Sequence, residues 1–132
     1  MIYNYNSPQE AIISLEDAYT GKDLHGVLAA KNFKAEAKLI LEKNNGDDYD
    51  PNDKEALLET ATLLELSLVT QLEKNGFPDF TGVRREFSNL YHIEGDLHAI
   101  MEELIYPDDT FFVNKIFLTV NNGIWKVAMV EE

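Results

Sequence analysis

The chain has 132 residues, of which 45% are hydrophobic, and its 24 acidic and 11 basic residues give a formal net charge of −13. One hydrophobic core fits this length, while the lack of cysteine excludes disulfides, thiolate catalysis and zinc fingers. The negative charge disfavours binding to nucleic acid or to an anionic membrane, and no apolar run approaches the roughly 18 residues of a membrane span. The first residues also lack the features of a secretory signal. We therefore expect one cytoplasmic domain over residues 1–132.

The N-terminal part is predicted to form short helices. Ser7, with Glu10 three positions further on, is typical of a capped helix start, and Gly21 predicts the end of that helix. Asp23 is placed to cap a second helix. The apolar positions change phase near Asn32, which indicates a break before a third helix.

A polar stretch over residues 44–53 precedes the longest predicted helix, residues 54–74. Asn52 or Asp53 is expected to cap this helix, and Asn75-Gly76 is expected to end it. The spacing of acidic side chains from position 48 is similar to a calcium-binding loop, but Asp53 stands where that turn needs glycine, so we predict no metal site. The predicted core face of the helix consists of Leu57, Leu58, Ala61, Leu64, Leu68 and Leu72.

Residues 97–132 are predicted to form three consecutive antiparallel strands. Asn122-Gly123 favours the positive φ angles of a type I′ turn between the last two strands. This turn would place Trp125 opposite Val120, as a stabilising cross-strand pair.

The preceding hairpin is predicted to turn at Asp108-Asp109. A two-residue turn there would place Glu102 opposite Lys115, where the two side chains would form an ordinary cross-strand ion pair. A further strand is expected within residues 83–95. Helices followed by an antiparallel sheet make the predicted fold class α+β.

Three segments together resemble a known fold family. They are the capped helical stretch AIISLEDAYTGKDLHGVLAAKNF, the segment DLHAIMEELIYPDD and the closing hairpin NNGIWKVAMVEE. Their order is similar to that of the nuclear-transport-factor-2-like superfamily, a cone-shaped α+β fold with N-terminal helices packed on a curved antiparallel sheet. The superfamily includes isomerases, dehydratases, polyketide cyclases, accessory domains and bacterial immunity proteins. The segments NFKAEAKLI and GFPDFTGV look like the helical elaboration of its bacterial immunity-type members.

An enzyme of that superfamily would hold an acid or base inside the cone, typically a carboxylate or histidine with a tyrosine donor. The candidates for such a pocket are Tyr19, Tyr91, His92 and Glu102. None of them lies in a recognisable catalytic motif, so we predict no catalytic residue and no cofactor.

The sequence favours a non-enzymatic acidic binding protein, most concretely an immunity or antitoxin-type protein that neutralises a basic effector. The expected partner-binding residues surround the polar stretch: Asp47, Asp48, Asp50, Asp53 and Glu55. The alternative is a small-molecule-binding protein, or a lyase or isomerase, of the same fold. Apolar residues on both faces of the strand over residues 111–120 are also compatible with a homodimer.

Overall fold

The computed structural model describes residues 3–132, except for the side chains of Asn45 and Asp47. Within these residues four α-helices come first: α1 (Pro8–Thr20), α2 (Leu24–Ala29), α3 (Phe33–Asn45) and α4 (Lys54–Asn75), with a 3-10 turn (Gly46–Asp48) between α3 and α4. Five strands follow in the same range: β1 (Arg84–Phe87), β2 (Tyr91–Glu94), β3 (Leu97–Ile105), β4 (Phe111–Asn121) and β5 (Ile124–Glu131). This order confirms the predicted α+β class.

The chain divides into two compact units. The sheet unit is formed by the N-terminal residues through Lys31 together with Phe77–Glu132, and the helical unit is Asn32–Gly76. The single domain expected over residues 1–132 stays a prediction. No helix in the described part of the chain combines the length and the apolar composition that a membrane span requires.

The first helix begins as predicted. The Ser7 Oγ accepts a hydrogen bond from the Glu10 backbone N–H at 3.1 Å and donates one to Glu10 Oε1 at 3.0 Å, which satisfies a backbone donor at the start of α1. The helix ends before Gly21, and the left-handed conformation that turns the chain is adopted by Lys22, with a φ of 57°. Asp23 then caps α2 by accepting a hydrogen bond from the Gly26 N–H.

The sheet is antiparallel, with the strand order β1-β3-β4-β5, and β2 also pairs with β3. The single strand expected within residues 83–95 is therefore two strands. At the interruption, the Ser88 N–H donates to the Met101 carbonyl and the Ser88 Oγ accepts from the Met101 N–H, both at 2.9 Å. The side chain of Ser88 thus satisfies the β3 backbone where the strand pairing breaks.

The last hairpin confirms the type I′ prediction, because Asn122 and Gly123 have φ angles of 53° and 78° and Trp125 lies opposite Val120. The Trp125 N–H donates to the Tyr5 carbonyl at 2.8 Å. The outer edge of β5 is thereby partly covered by the segment that precedes α1, which protects an otherwise free strand edge.

The predicted register of the β3–β4 hairpin is wrong by one residue. Residues 107–109 form a three-residue loop, since the Tyr106 N–H donates to the Thr110 carbonyl and Asp109 has a φ of 70°. Glu102 therefore lies opposite Asn114, and Lys115 lies opposite Met101. Because side chains alternate between the faces of a strand, the expected ion pair of Glu102 with Lys115 is not formed.

One face of the sheet carries the core of the sheet unit. Its fully buried side chains include Ile100 on β3, Ile116 and Leu118 on β4 and Val127 on β5. Helix α1 packs against β5 and buries Ile12 almost completely. Apolar burial of this kind stabilises a fold by roughly 25 cal/mol per Å².

The helical unit consists of α3 and α4, which contact each other. Asn32 caps α3, Asp53 caps α4, and Gly76 ends α4 in the left-handed region with a φ of 85°, as the sequence predicted. One residue of the expected core face of α4 is placed wrongly, because the Leu58 side chain is 56% exposed. Ala61 and Leu72 from the same predicted face are buried.

Candidate functional site

The four predicted pocket residues do not form one cluster. Glu102 is buried at the middle of β3, with 1% of its surface exposed. Tyr19 is half-buried near the end of α1, where its ring contacts Phe80. Tyr91 and His92 are exposed on β2, and they point to opposite faces of the sheet because they lie opposite Ala99 and His98.

Glu102 lies on the buried face of the sheet, between neighbouring strands. Its register partners are Phe87 on β1 and Asn114 on β4, and Ile100 and Leu104 precede and follow it on the same face. Neither carboxyl oxygen of Glu102 has a hydrogen-bond partner within ordinary distance and angle limits, although the neighbouring Asn114 side chain acts to lower its pKa. A buried carboxylate without such partners costs several kcal/mol, so this side chain needs a physical explanation.

Besides Asn114, a polar side chain that faces Glu102 is Glu16, which α1 supplies. Glu16 is also buried, with 6% of its surface exposed. Arg85 on β1 donates a short hydrogen bond from its Nε to Glu16 Oε1, and its Nη2 lies 3.9 Å from Asp17 Oδ1. The positive charge of Arg85 is therefore shared between Glu16 and Asp17, and the buried cluster contains two carboxyl groups for one guanidinium.

Burial and the neighbouring Glu16 carboxyl raise the pKa of Glu102 to about 9. Burial also raises the pKa of Glu16, while its hydrogen bonds with Glu102 and Arg85 act in the opposite direction. Two carboxyl groups in one buried site do not both ionise readily. A protonated Glu102 can donate its O–H to Glu16, and this gives the buried group a hydrogen bond that two ionised carboxylates could not form.

This arrangement can perform proton transfer. Glu102 is a neutral acid near pH 7, because its pKa lies near 9, and Glu16 accepts a hydrogen bond from Arg85. Buried carboxyl groups with strongly shifted pKa values are typical of acid–base sites.

Sequence reasoning singled out Glu102 but missed Glu16 and Arg85. The signal for Glu16 was present, because it follows Ile12 by four positions and therefore lies on the apolar face of the predicted helix. Arg85 carries no comparable signal, since its strand alternates between exposed and half-buried positions.

The predicted partner-binding acids belong to the helical unit, and the described ones are all exposed: Asp48, Asp50, Asp53 and Glu55. The side chain of Asp47 lies outside the described residues. Asp50 accepts a hydrogen bond from the Asn52 N–H and Asp53 caps α4, so two of these carboxylates stabilise local structure. Among the described residues, no group of three or more histidine or acidic side chains could hold a metal ion.

Comparison with known proteins adds one structural likeness. No protein-family model matches the chain, and no curated protein matches it. A solved structure from Campylobacter jejuni, named as an NTF2-like transpeptidase, is similar over 93% of this chain and 99% of its own, with 13% sequence identity and a TM-score of 0.42. At this identity and TM-score, the likeness carries no conclusion about the activity of this chain.

Proposed function

We propose that the sheet unit binds a small molecule and transfers protons to and from it, as a lyase or isomerase does. The observation that carries this proposal is the buried Glu102 carboxyl, whose oxygens lack a well-formed hydrogen bond and which faces a second buried carboxyl, Glu16. Strongly perturbed carboxyl pairs of this kind are concentrated in catalytic and ligand-binding sites.

A purely structural role explains the pair less well. Replacing buried ionic groups by apolar side chains of similar volume is often neutral or stabilising by about 1–4 kcal/mol. Glu102 stands between Ile100 and Leu104 on a core face, where an apolar residue would continue the alternation. A carboxyl group kept there at a cost in stability is expected to serve another purpose.

The two carboxyl groups support different roles in the elimination of water from a ligand. Glu16, as the base, would take a proton from a carbon atom as the double bond forms. Glu102, as the acid, would give its proton to the departing hydroxyl group, which leaves as water. The proton count of the pair is unchanged, and a proton shift from Glu16 to Glu102 restores the starting state.

The face of the sheet that carries Glu102 also carries exposed apolar side chains. Phe112 is 57% exposed and Val130 is 45% exposed, and their register with Leu104 and Ile116 puts both on the face that carries Glu102. Apolar walls with a few polar groups are typical of small-molecule sites. A ligand with an apolar body and one hydroxyl or carbonyl group fits this combination.

The proposal is tested by comparing the wild type with Glu102→Gln and with the matched control Glu103→Gln. Glu103 is the next residue on β3 and lies on the opposite face of the sheet. A library of small hydroxyl and carbonyl compounds would be screened by ligand-observed NMR. We expect at least one compound that binds the wild type and the control but not Glu102→Gln. Binding that is the same in all three proteins would overturn the proposal.

A second candidate is a non-enzymatic, immunity or antitoxin-type protein that binds a basic effector. It is supported by the exposed carboxylates Asp48, Asp50 and Glu55 beside the cap of α4, where negative charge would speed encounter with a basic partner. The test reverses Asp48 and Glu55 to lysine and leaves Asp50 and Asp53 in place, because both accept hydrogen bonds that stabilise local structure. Loss of a salt-sensitive partner from a lysate pull-down would support this candidate, and unchanged capture would oppose it.

A homodimer also stays a prediction. Phe111 and Val113 on β4 are 62% and 46% exposed, which is compatible with self-association through this end of the sheet.

A further inference from the structure

We propose that His92 and His98 form a binding site for one divalent transition-metal ion of the zinc, copper or nickel class. The two residues lie directly opposite each other on β2 and β3, and their ring centroids are 5.1 Å apart. Directly opposite side chains lie on the same face of a sheet. This site is separate from the Glu16 and Glu102 pair and does not depend on the function proposed above.

The hydrogen bonds of the two rings define which nitrogen of each is free. His92 Nε2 lies 2.8 Å from the Gly95 carbonyl oxygen, and His98 Nδ1 lies 3.0 Å from the Asp96 carbonyl oxygen. A carbonyl oxygen only accepts hydrogen bonds, so each of these nitrogens carries the proton. In the neutral rings, the lone pairs are then on His92 Nδ1 and His98 Nε2.

This pattern is the one that metal-binding histidines use. A ligating imidazole typically donates its other N–H to a carbonyl or carboxylate, which holds the ring and its tautomer in place. Here both donors reach carbonyls of the short turn that joins β2 to β3. The ring of Trp125 packs edge-on against His98 at 4.9 Å and further limits its rotation.

The described residues around His92 and His98 supply no third protein ligand. A register shift after His92 places Glu94 opposite Leu97, so Glu94 lies on the other face of the sheet. This agrees with the lack of a three-residue metal group in the described chain. The ion would therefore have two imidazole ligands and water in its other positions. Imidazole pairs suit zinc, copper and nickel rather than calcium or magnesium.

The test uses the fluorescence of Trp125, the only tryptophan in the chain, during titration with Cu²⁺ alone. Bound Cu²⁺ beside His98 is expected to quench this fluorescence with a stoichiometry of about one ion per chain. His92→Gln is the decisive variant, because it removes one ligand and leaves the contact of His98 with Trp125 intact. His25→Gln is the matched control, since His25 is exposed on α2.

We expect His92→Gln and His98→Gln to weaken Cu²⁺ binding by at least about tenfold, while His25→Gln binds as the wild type does. Calorimetry with Zn²⁺ should give the same ranking of the wild type and the variants. Equal quenching in the wild type and His92→Gln would overturn the proposal. So would quenching that needs more than one ion per chain.

Discussion

Glu16 of α1 and Glu102 of β3 interact through their carboxyl groups inside the sheet unit. Arg85 of β1 donates a hydrogen bond to Glu16. This contact connects a helix and two strands through one buried polar cluster. Since the cluster holds more carboxyl groups than positive charges, its protonation is coupled to folding. The stability of the protein should therefore depend on the protonation of Glu16 and Glu102.

Replacing Glu16 with alanine should destabilise the protein by about 3 kcal/mol, because the Arg85 guanidinium loses its main partner in a mostly buried position. Asp17→Ala is the matched control, since the Asp17 side chain is 49% exposed and lies 3.9 Å from Arg85. We expect Asp17→Ala to lower the free energy of unfolding by less than about 1 kcal/mol. Urea unfolding measures both changes, and equal losses would contradict the assigned pairing.

The stability of the wild type should fall as the pH rises from about 5 toward 9. Burial raises the pKa of Glu102 to about 9 in the folded state, whereas the unfolded chain has a value of about 4.3. Between these values the folded state binds more protons than the unfolded state, so increasing pH favours unfolding by up to about 1.4 kcal/mol per unit.

Glu102→Gln should remove most of this pH dependence, because an amide does not titrate, and Glu103→Gln should retain it. Urea unfolding at several pH values between about 5 and 9 makes the comparison. A wild-type stability that is flat across this range would show that Glu102 does not hold a proton in the folded protein.

Asp109→Gly should stabilise the β3–β4 hairpin by about 1 kcal/mol, because Asp109 adopts a left-handed conformation with a φ of 70°. Asp109→Val should destabilise the hairpin, since a β-branched side chain fits that conformation poorly. Thermal unfolding gives the order of the three proteins. If valine were tolerated as well as glycine, the three-residue loop would be wrong.

Asp53→Ala should destabilise α4 by about 1 kcal/mol, because the Ala56 N–H loses the carboxylate that caps it. Asp53→Asn keeps an oxygen acceptor and should retain most of the stability. The loss of helical circular dichroism on heating measures the difference. An equal effect of both variants would mean that the charge of Asp53, and not the cap, stabilises the helix.

The features that were predicted well depend on residues close together in the chain. The start of α1 depends on Ser7 and Glu10, and the last turn depends on Asn122-Gly123, so each could be recognised within a few positions. The β3–β4 turn was harder, because residues 107–109 suit both a two-residue and a three-residue loop. Because the loop is one residue longer than predicted, the partner of Glu102 on β4 is Asn114 and not Lys115.

The candidate site could be predicted only in part. Glu102 was one of the four candidate pocket residues, and it is buried. Arg85 and Glu16 are 69 positions apart in the chain, and no local pattern joins them. The pairing of His92 with His98 was also missed, because it depends on the register between β2 and β3, which is irregular between His92 and Glu94.

The sequence by itself determined the α+β class, the helix caps, the Asn122-Gly123 hairpin and the negative charge, because propensities, caps and turns act over a few residues. Only the tertiary structure decided that Glu16, Arg85 and Glu102 share one buried cluster and that His92 faces His98. The physical reason is that such contacts depend on strand register and on the packing of α1, which a local sequence pattern does not specify.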